Sequence, residues 1–255
     1  MSTHILTQAI ENAVKEGRTA LIPFLTAAFP DKHSFWHNLV QLDANGADII
    51  EIGVPFSDPV ADGPVVEAAS LTALKNGASL AWLLAGLRKR AGSFKAPLVL
   101  MGYYNPFLQY GLERLVEDAA KAGISGFVVP DLPLDEDRPL RQELKKKNMA
   151  LVPLVGVNTS EERLRAYAQK AEGYVYLVSV LGTTGMRNEF SPELQHAFDM
   201  VKTIFDVPMA LGFGIAGPEQ AAALPVRPKA LVFGSALLRH LEAGNDAASF
   251  MRRWL

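Results

Sequence analysis

The sequence predicts an α/β fold, a (β/α)8 TIM barrel, and three observations carry that reading. The chain has 255 residues, close to the ~250 typical of one eightfold barrel. Eight short apolar runs recur along it, most of them nearly continuous in Val, Ile, Leu and Phe, as parallel strands buried on both faces require. The segments between those runs carry helical spacing, and a regular alternation of strand and helix implies parallel strands joined by crossover helices.

The elements follow in order. A first helix, His4–Gly17, precedes every strand and is expected to plug the mouth of the barrel opposite its loops. The strand runs are Ala20–Ala27, Ala47–Val54, Ala96–Gly102, Gly126–Asp131, Ala150–Gly156, Gly173–Val180, Pro208–Gly214 and Lys229–Ser235. Leu112, Leu115, Val116 and Ala119 lie on one side of a helical turn pattern, with Glu113, Arg114, Glu117 and Asp118 on the other. A further helix is expected over Leu134–Lys147, whose terminal lysines suit a helix C-terminus. Ser160 and Ser191, each followed within two residues by Glu, read as N-caps with acidic first turns. The interval between the second and third strands is much the longest, and its SDPVADGPVVEAASLTALKNGAS is long enough for a loop and one additional helix. An insertion after a strand belongs to the face on which barrels keep their chemistry. No linker, repeat or low-complexity tract divides residues 1–255, so a single domain is expected.

Composition excludes several classes of function. Twenty-five basic and 27 acidic residues give a net charge of −2, with none of the basic excess of a nucleic-acid binder. There is no cysteine, hence no disulfide, thiolate nucleophile or cysteine-held metal. The longest uncharged stretch, Ala96–Leu112, is broken by Pro97, Gly102, Pro106 and Gly111 and does not read as a membrane span. The first residues lack the basic head and apolar run of a secretory signal, so a soluble, cytoplasmic chain is expected.

Glu51 is the first candidate catalytic residue. It sits between Ile50 and Ile52, where burying an ionised carboxylate costs several kcal/mol unless it is paired or protonated. Burial would raise its pKa toward neutrality and let it both give and take a proton. Asp58 and Asp62 follow in FSDPVADGP. Acidic residues beside Pro and Gly are often turn formers, but the place of Asp62 in the enlarged active-face loop makes it a plausible partner for Glu51. Two glycine-bearing turns end the last strands: Gly212-Phe213-Gly214, running toward Pro218 and Glu219, and Gly234-Ser235, running into ALLRHL. Glycine lets backbone N–H groups approach an anion, and helix N-termini favour negative charge. The pair of turns, after the seventh and eighth strand runs, is where barrels of the phosphate-binding type hold phosphate. A third loop, Leu181–Ser191, is polar and glycine-rich, as a closing lid or an ordinary connection would be. Lys95 precedes its strand and Lys229 opens its own, at the opposite face, and the five histidines (His4, His33, His37, His196, His240) fall in helical segments. A Schiff-base lysine and a histidine-held metal therefore have no candidate residues. Carboxylate acid/base chemistry on a small phosphorylated molecule remains.

EIGVPFSDPVADGP, the V-x-x-A-x-x-x-A-L-x-x-G frame after it, MGYYNP, VPDLP, YLVSVLGTTG, GFGI and FGSAL occur in this order over nearly the whole chain. Together they resemble the tryptophan synthase α subunit family. The resemblance implies retro-aldol cleavage of indole-3-glycerol phosphate to indole and glyceraldehyde 3-phosphate in tryptophan biosynthesis, with no cofactor in this subunit. It implies that Glu51 is the general acid/base and that Asp62 polarises the indole N–H. Tyr176 then lies near Glu51, Phe24 forms an aromatic wall of the indole pocket, and Thr184 and Gly185 belong to the closing loop. Gly212, Phe213, Gly214, Gly234 and Ser235 make up the phosphate cradle.

The same resemblance implies a partner, a pyridoxal-phosphate β subunit that receives indole in an α2β2 heterotetramer. Contacts would come from Met101–Phe107 and Pro130–Glu136, whose Tyr103, Tyr104, Phe107, Leu132 and Leu134 are apolar for solvent-facing turns. Three residues depart from the family pattern: Gly102 where a hydroxyl residue is common, Glu67 where glutamine is frequent, and Phe233 where a smaller aliphatic is usual. Phe233 is expected to bear on the pocket. Competing readings are a stand-alone lyase that releases free indole, a non-catalytic regulatory subunit, and a phosphosugar isomerase. Retention of both carboxylates speaks against the second, and the missing lysine and histidine against the third.

Overall fold

Among the described residues, nine parallel strands form one sheet that curls into a ring. The computed structural model describes residues 3–178, 192–212 and 214–255. The strands are β1 (Ala20–Thr26), β2 (Ile50–Gly53), β3 (Leu98–Met101), β4 (Ile124–Val128), β5 (Ala150–Leu151), β6 (Leu154–Gly156), β7 (Val175–Val178), β8 (Met209–Gly212) and β9 (Ala230–Phe233). Their order is β5-β4-β3-β2-β1-β9-β8-β7-β6. The two ends of that order, β5 and β6, are halves of one apolar run interrupted at Val152-Pro153. Pro153 has no N–H to give a ladder. Val152 still donates to Phe127 O at 2.9 Å and Pro153 O still accepts from Tyr176 N at 2.9 Å, so the chain itself closes the ring. Counted this way, the strand positions number eight, and the expected (β/α)8 barrel is the fold.

Period-two alternation sorts each strand into an inner and an outer face. Ala20, Ile22, Ile49, Val99, Val128, Val152, Tyr174, Tyr176, Ala210 and Val232 pack together in the barrel interior. Leu21, Leu25, Ile50, Ile52, Leu98 and Leu100 pack outward beneath the helices. The helix Ile5–Lys15 puts Leu6, Ile10 and Ala13 into the interior cluster. Its Thr7 Oγ1 donates to Gly173 O at 2.6 Å, just before β7. The helix therefore closes the N-terminal mouth, leaving the C-terminal ends of the strands for the site.

The insertion after β2 supplies the additional helix expected there, since both Pro64–Lys75 and Leu80–Arg88 lie between β2 and β3. The segment Leu112–Lys121 buries Leu115, Val116 and Ala119, as its spacing predicts. Ser160 caps Glu161–Ala168 by accepting from Arg163 N. Three expectations need correction. The helix placed over Leu134–Lys147 begins only at Arg138, because Pro139 is tolerated in a first turn and cannot lie deeper. The stretch Met101–Phe107 is not an open turn: Tyr104–Tyr110 is helical. Of the histidines, His4 caps the first helix rather than lying within it. Among the described residues no helix is long and apolar enough to cross a membrane.

Candidate active site

Glu51 lies in β2, with all four strand residues buried. Ile50 and Ile52 face the helices, so alternation turns the carboxylate inward, level with Phe24 on β1 and Val99 on β3. It is 0% exposed. Tyr174, also fully buried, donates its hydroxyl to Glu51 Oε1 at 2.5 Å, while Oε2 has no hydrogen-bond partner among the described residues. Burial is the larger influence and raises the Glu51 pKa from 4.5 to about 7, against the lowering effect of the Tyr174 hydrogen bond. A carboxyl balanced between its two forms near neutrality can serve as acid and base in one turnover.

Asp62 stands at the end of the loop after β2. Burial raises its pKa from 3.8 to about 6, hydrogen bonding by Tyr103 opposes the rise, and the charge of Glu67 adds to it. Asp58 behaves differently: it is exposed and accepts from Ser57 Oγ at 2.5 Å, the habit of a turn former.

Glu51 and Asp62 line one cavity of about 280 Å³ at the C-terminal end of the barrel. Phe24, Val66, Met101, Ile215 and Val232 supply apolar walls. Gly214, Gly234 and Ser235 line the same cavity, as does Tyr176. The structure thus brings together Glu51, Asp62, Phe24, Tyr176, Gly214, Gly234 and Ser235. Thr184, Gly185 and Phe213 lie outside the described residues, as does the whole loop 181–191.

Glycines at the site do two different things. Gly214 has φ +83°, a left-handed conformation that side chains resist. Gly212 is placed in β8 and does not line the cavity; a Cβ there would run into the Tyr176 ring. Gly234 and Gly53 flank Phe24 in the same way, a Cβ at Gly234 meeting Phe24 Cδ1 at 2.8 Å. Beyond Gly234 the helix Ser235–Glu242 begins, its first N–H groups free of helical partners. Arg239, on that helix, also lines the cavity.

Three residues at the site escaped the sequence reading. Tyr174 shares a strand face with Tyr176, so the same alternation points to it. Arg239 lies one turn inside a helix recognised for its N-terminus, and side chains lean toward that end. Tyr103 belongs to a segment read as facing outward, yet it is 4% exposed. Phe107 and Leu134, also expected on that surface, are buried as well. Of the three departures, Phe233 lines the cavity, as expected, while its ring stacks on Trp254 at 4.6 Å and 7°. Gly102 has no room for a larger residue without moving Phe107, whose Cζ would lie 2.8 Å from a Cβ. Glu67 is exposed and acts through its charge on Asp62.

Comparison with known proteins fits this arrangement. The family model described as tryptophan synthase alpha chain matches residues 10–254. The tryptophan synthase alpha chain of Solidesulfovibrio magneticus is 62% identical over 254 residues, covering 100% of this chain and 99% of its own. That of Nitratidesulfovibrio vulgaris is 58% identical over the same length, with 100% and 99% covered. Among solved structures, tryptophan synthase subunit alpha from Legionella pneumophila has a TM-score of 0.87 at 30% identity, covering 98% of this chain and 95% of that one. Ligand-free tryptophan synthase from M. tuberculosis gives 0.88 at 29% identity, with 98% and 96% covered. The chain belongs to the tryptophan synthase alpha chain family.

Proposed function

We propose that Glu51 and Asp62 are the acid/base pair with which this chain cleaves indole-3-glycerol phosphate into indole and glyceraldehyde 3-phosphate. Glu51, protonated, gives its proton to C3 of the indole while Asp62 takes the proton from the ring nitrogen. The ring is then an indolenine, in which the bond from C3 to the glycerol carbon is weak. The hydroxyl on that carbon passes its proton to the Glu51 carboxylate, its electrons form the aldehyde, and the broken bond returns its pair to the ring. Nitrogen recovers its proton from Asp62, and both carboxyl groups end as they began. Each transfer is worth ~10²–10⁴-fold, with no metal and no Schiff base to an enzyme lysine in the sequence of steps.

One observation carries the reading: a fully buried carboxyl, with one oxygen unpartnered among the described residues, stands in the same cavity as a second carboxylate. Phe24, Met101 and Val232 offer the indole an apolar slot. Gly214, Gly234, Ser235 and the N-terminus of the helix Ser235–Glu242 take the phosphate, a disposition favoured by free N–H groups and the helix dipole. Thr184 and Gly185 belong to the closing loop and Phe213 to the cradle, on the resemblance alone. This subunit needs no cofactor in the reading. A pyridoxal-phosphate β subunit takes the indole, in an α2β2 assembly.

The test is release of indole from indole-3-glycerol phosphate by the chain alone and with a β subunit. Glu51→Gln should lower the rate by at least ~10²-fold while binding of the phosphorylated substrate persists. A rate within about tenfold of wild type, ~1.4 kcal/mol in the barrier, would overturn the assignment.

A further inference from the structure

We propose that Tyr103 is the positioning residue for Asp62, fixing the direction in which its carboxylate faces the cavity. The proposal rests on the reading of Asp62 given above and deepens it. Tyr103 does not line the cavity, so it acts through the loop. Its hydroxyl oxygen accepts the N–H of Ala61 at 3.0 Å, the residue immediately before Asp62. Because that oxygen is already held as an acceptor, its own O–H is left to turn toward the Asp62 carboxylate, whose ionised form it favours.

The phenol is itself held on both sides. Its ring packs on Phe56 at 5.3 Å with planes 32° apart, at the start of the same loop. The next residue, Tyr104, donates its N–H to Asp131 Oδ1 at 2.9 Å, following β4. The loop from Phe56 to Asp62 contributes few contacts of its own: Ser57, Asp58 and Ala61 are exposed, and Val60 is 86% exposed. Its internal backbone bonds run from Val60 N to Asp58 O and from Asp62 N to Pro59 O. A loop so open would let the carboxylate swing, and Tyr103 ties its last turn to the end of β3. The charged and titratable groups acting on Asp62 and its partner are Tyr103 from the segment after β3, Glu67 from the helix Pro64–Lys75, Tyr176 from β7 and Asp131 after β4. Of these, Tyr103 is the group that favours the ionised carboxylate of Asp62, while the charge of Glu67 opposes it.

The test compares two ligands that cannot be cleaved: an indolyl-propyl phosphate, and its benzothienyl isostere, which lacks the ring N–H. Both fill the apolar slot and the phosphate cradle, and only the first offers Asp62 a proton. Wild type should prefer the indole by about tenfold, as expected when a charged acceptor gains or lacks its donor. Tyr103→Phe keeps the ring and its packing on Phe56. It should reduce the preference to below about threefold and leave benzothienyl binding within about twofold of wild type. Retention of the full preference in Tyr103→Phe overturns the proposal, and so does equal weakening of both ligands, which marks a merely structural role. No preference in wild type overturns the Asp62 reading itself and this proposal with it. A preference present in wild type, lost in Asp62→Asn and kept in Tyr103→Phe, overturns the Tyr103 proposal alone.

Discussion

Replacing Glu51 by glutamine should stabilise the protein above neutral pH while abolishing its chemistry. The folded state raises the carboxyl pKa from 4.5 to about 7 through burial, so it holds the proton more tightly than the unfolded chain does. Below pH 4.5 both states are protonated, and the favourable contribution is fully present. Between 4.5 and 7 the unfolded chain ionises while the folded one does not, and stability falls with rising pH. Above 7 both are ionised and the contribution is gone. At ~1.4 kcal/mol per tenfold change in proton affinity, the span amounts to about 3 kcal/mol. Glutamine has no proton to lose, fills nearly the same volume, and its amide oxygen can still accept from Tyr174. The stability of Glu51→Gln relative to wild type should therefore rise by about 3 kcal/mol between pH 4.5 and 8, equivalent to roughly 6–12 °C in Tm for a chain of this length. Urea unfolding of both proteins at a series of pH values measures the difference directly. A difference that stays constant across the series, or moves the other way, would refute the inference that the buried carboxyl ionises at a cost.

Asp62→Asn should reduce kcat/KM for indole-3-glycerol phosphate by at least about tenfold, and a wild-type rate would make Asp62 another turn former like Asp58. Tyr174→Phe removes the one hydrogen bond that lowers the Glu51 pKa, so the Glu51 limb of the rate profile should move to higher pH, and an unmoved limb would show that the phenol does not tune it. Gly214→Val places a β-branched residue at φ +83° on the cavity wall; it should weaken phosphorylated ligands and spare free indole, whereas equal loss of both would indicate general misfolding. Arg239→Gln should raise KM for the phosphorylated substrate about fivefold and flatten its salt dependence, and an unchanged salt dependence would remove Arg239 from the phosphate end.

Glu51 was legible because one residue broke an otherwise apolar strand, and alternation alone then says which way it faces. The barrel was legible for the same reason: eight runs of the right length leave little choice of topology. Tyr103 shows where such reading stops. Its segment looks like solvent-facing turn because it is aromatic and interrupted by Gly102 and Pro106, but whether an aromatic faces outward depends on what packs over it. Here the loop after β2 does, from far away in sequence. The helix misplaced over Leu134–Lys147 failed for a local reason, the position of Pro139, that spacing of apolar residues does not register. Tyr174 lay between the two cases, on the correct face of a strand whose other tyrosine matched a motif.

The glycines teach a sharper point about how the cavity is shaped. A glycine near a proposed phosphate site is naturally read as backbone offered to an anion, and Gly214 and Gly234 do line the cavity. Yet Gly212 is occupied with something else: its missing side chain is the space into which the Tyr176 ring fits. Gly53 and Gly234 play the same part for Phe24 from the two strands beside β1. In a barrel interior packed like a crystal, a ring can lie flat over a neighbouring strand only where that strand carries no Cβ. Aromatic walls and neighbouring glycines are therefore one feature seen from two strands. Gly234 serves both purposes at once, emptying the space beside Phe24 while leading into the helix whose N-terminus faces the cavity. That coupling joins the slot proposed for the ring to the seat proposed for the phosphate, and it becomes visible only when strand register is known.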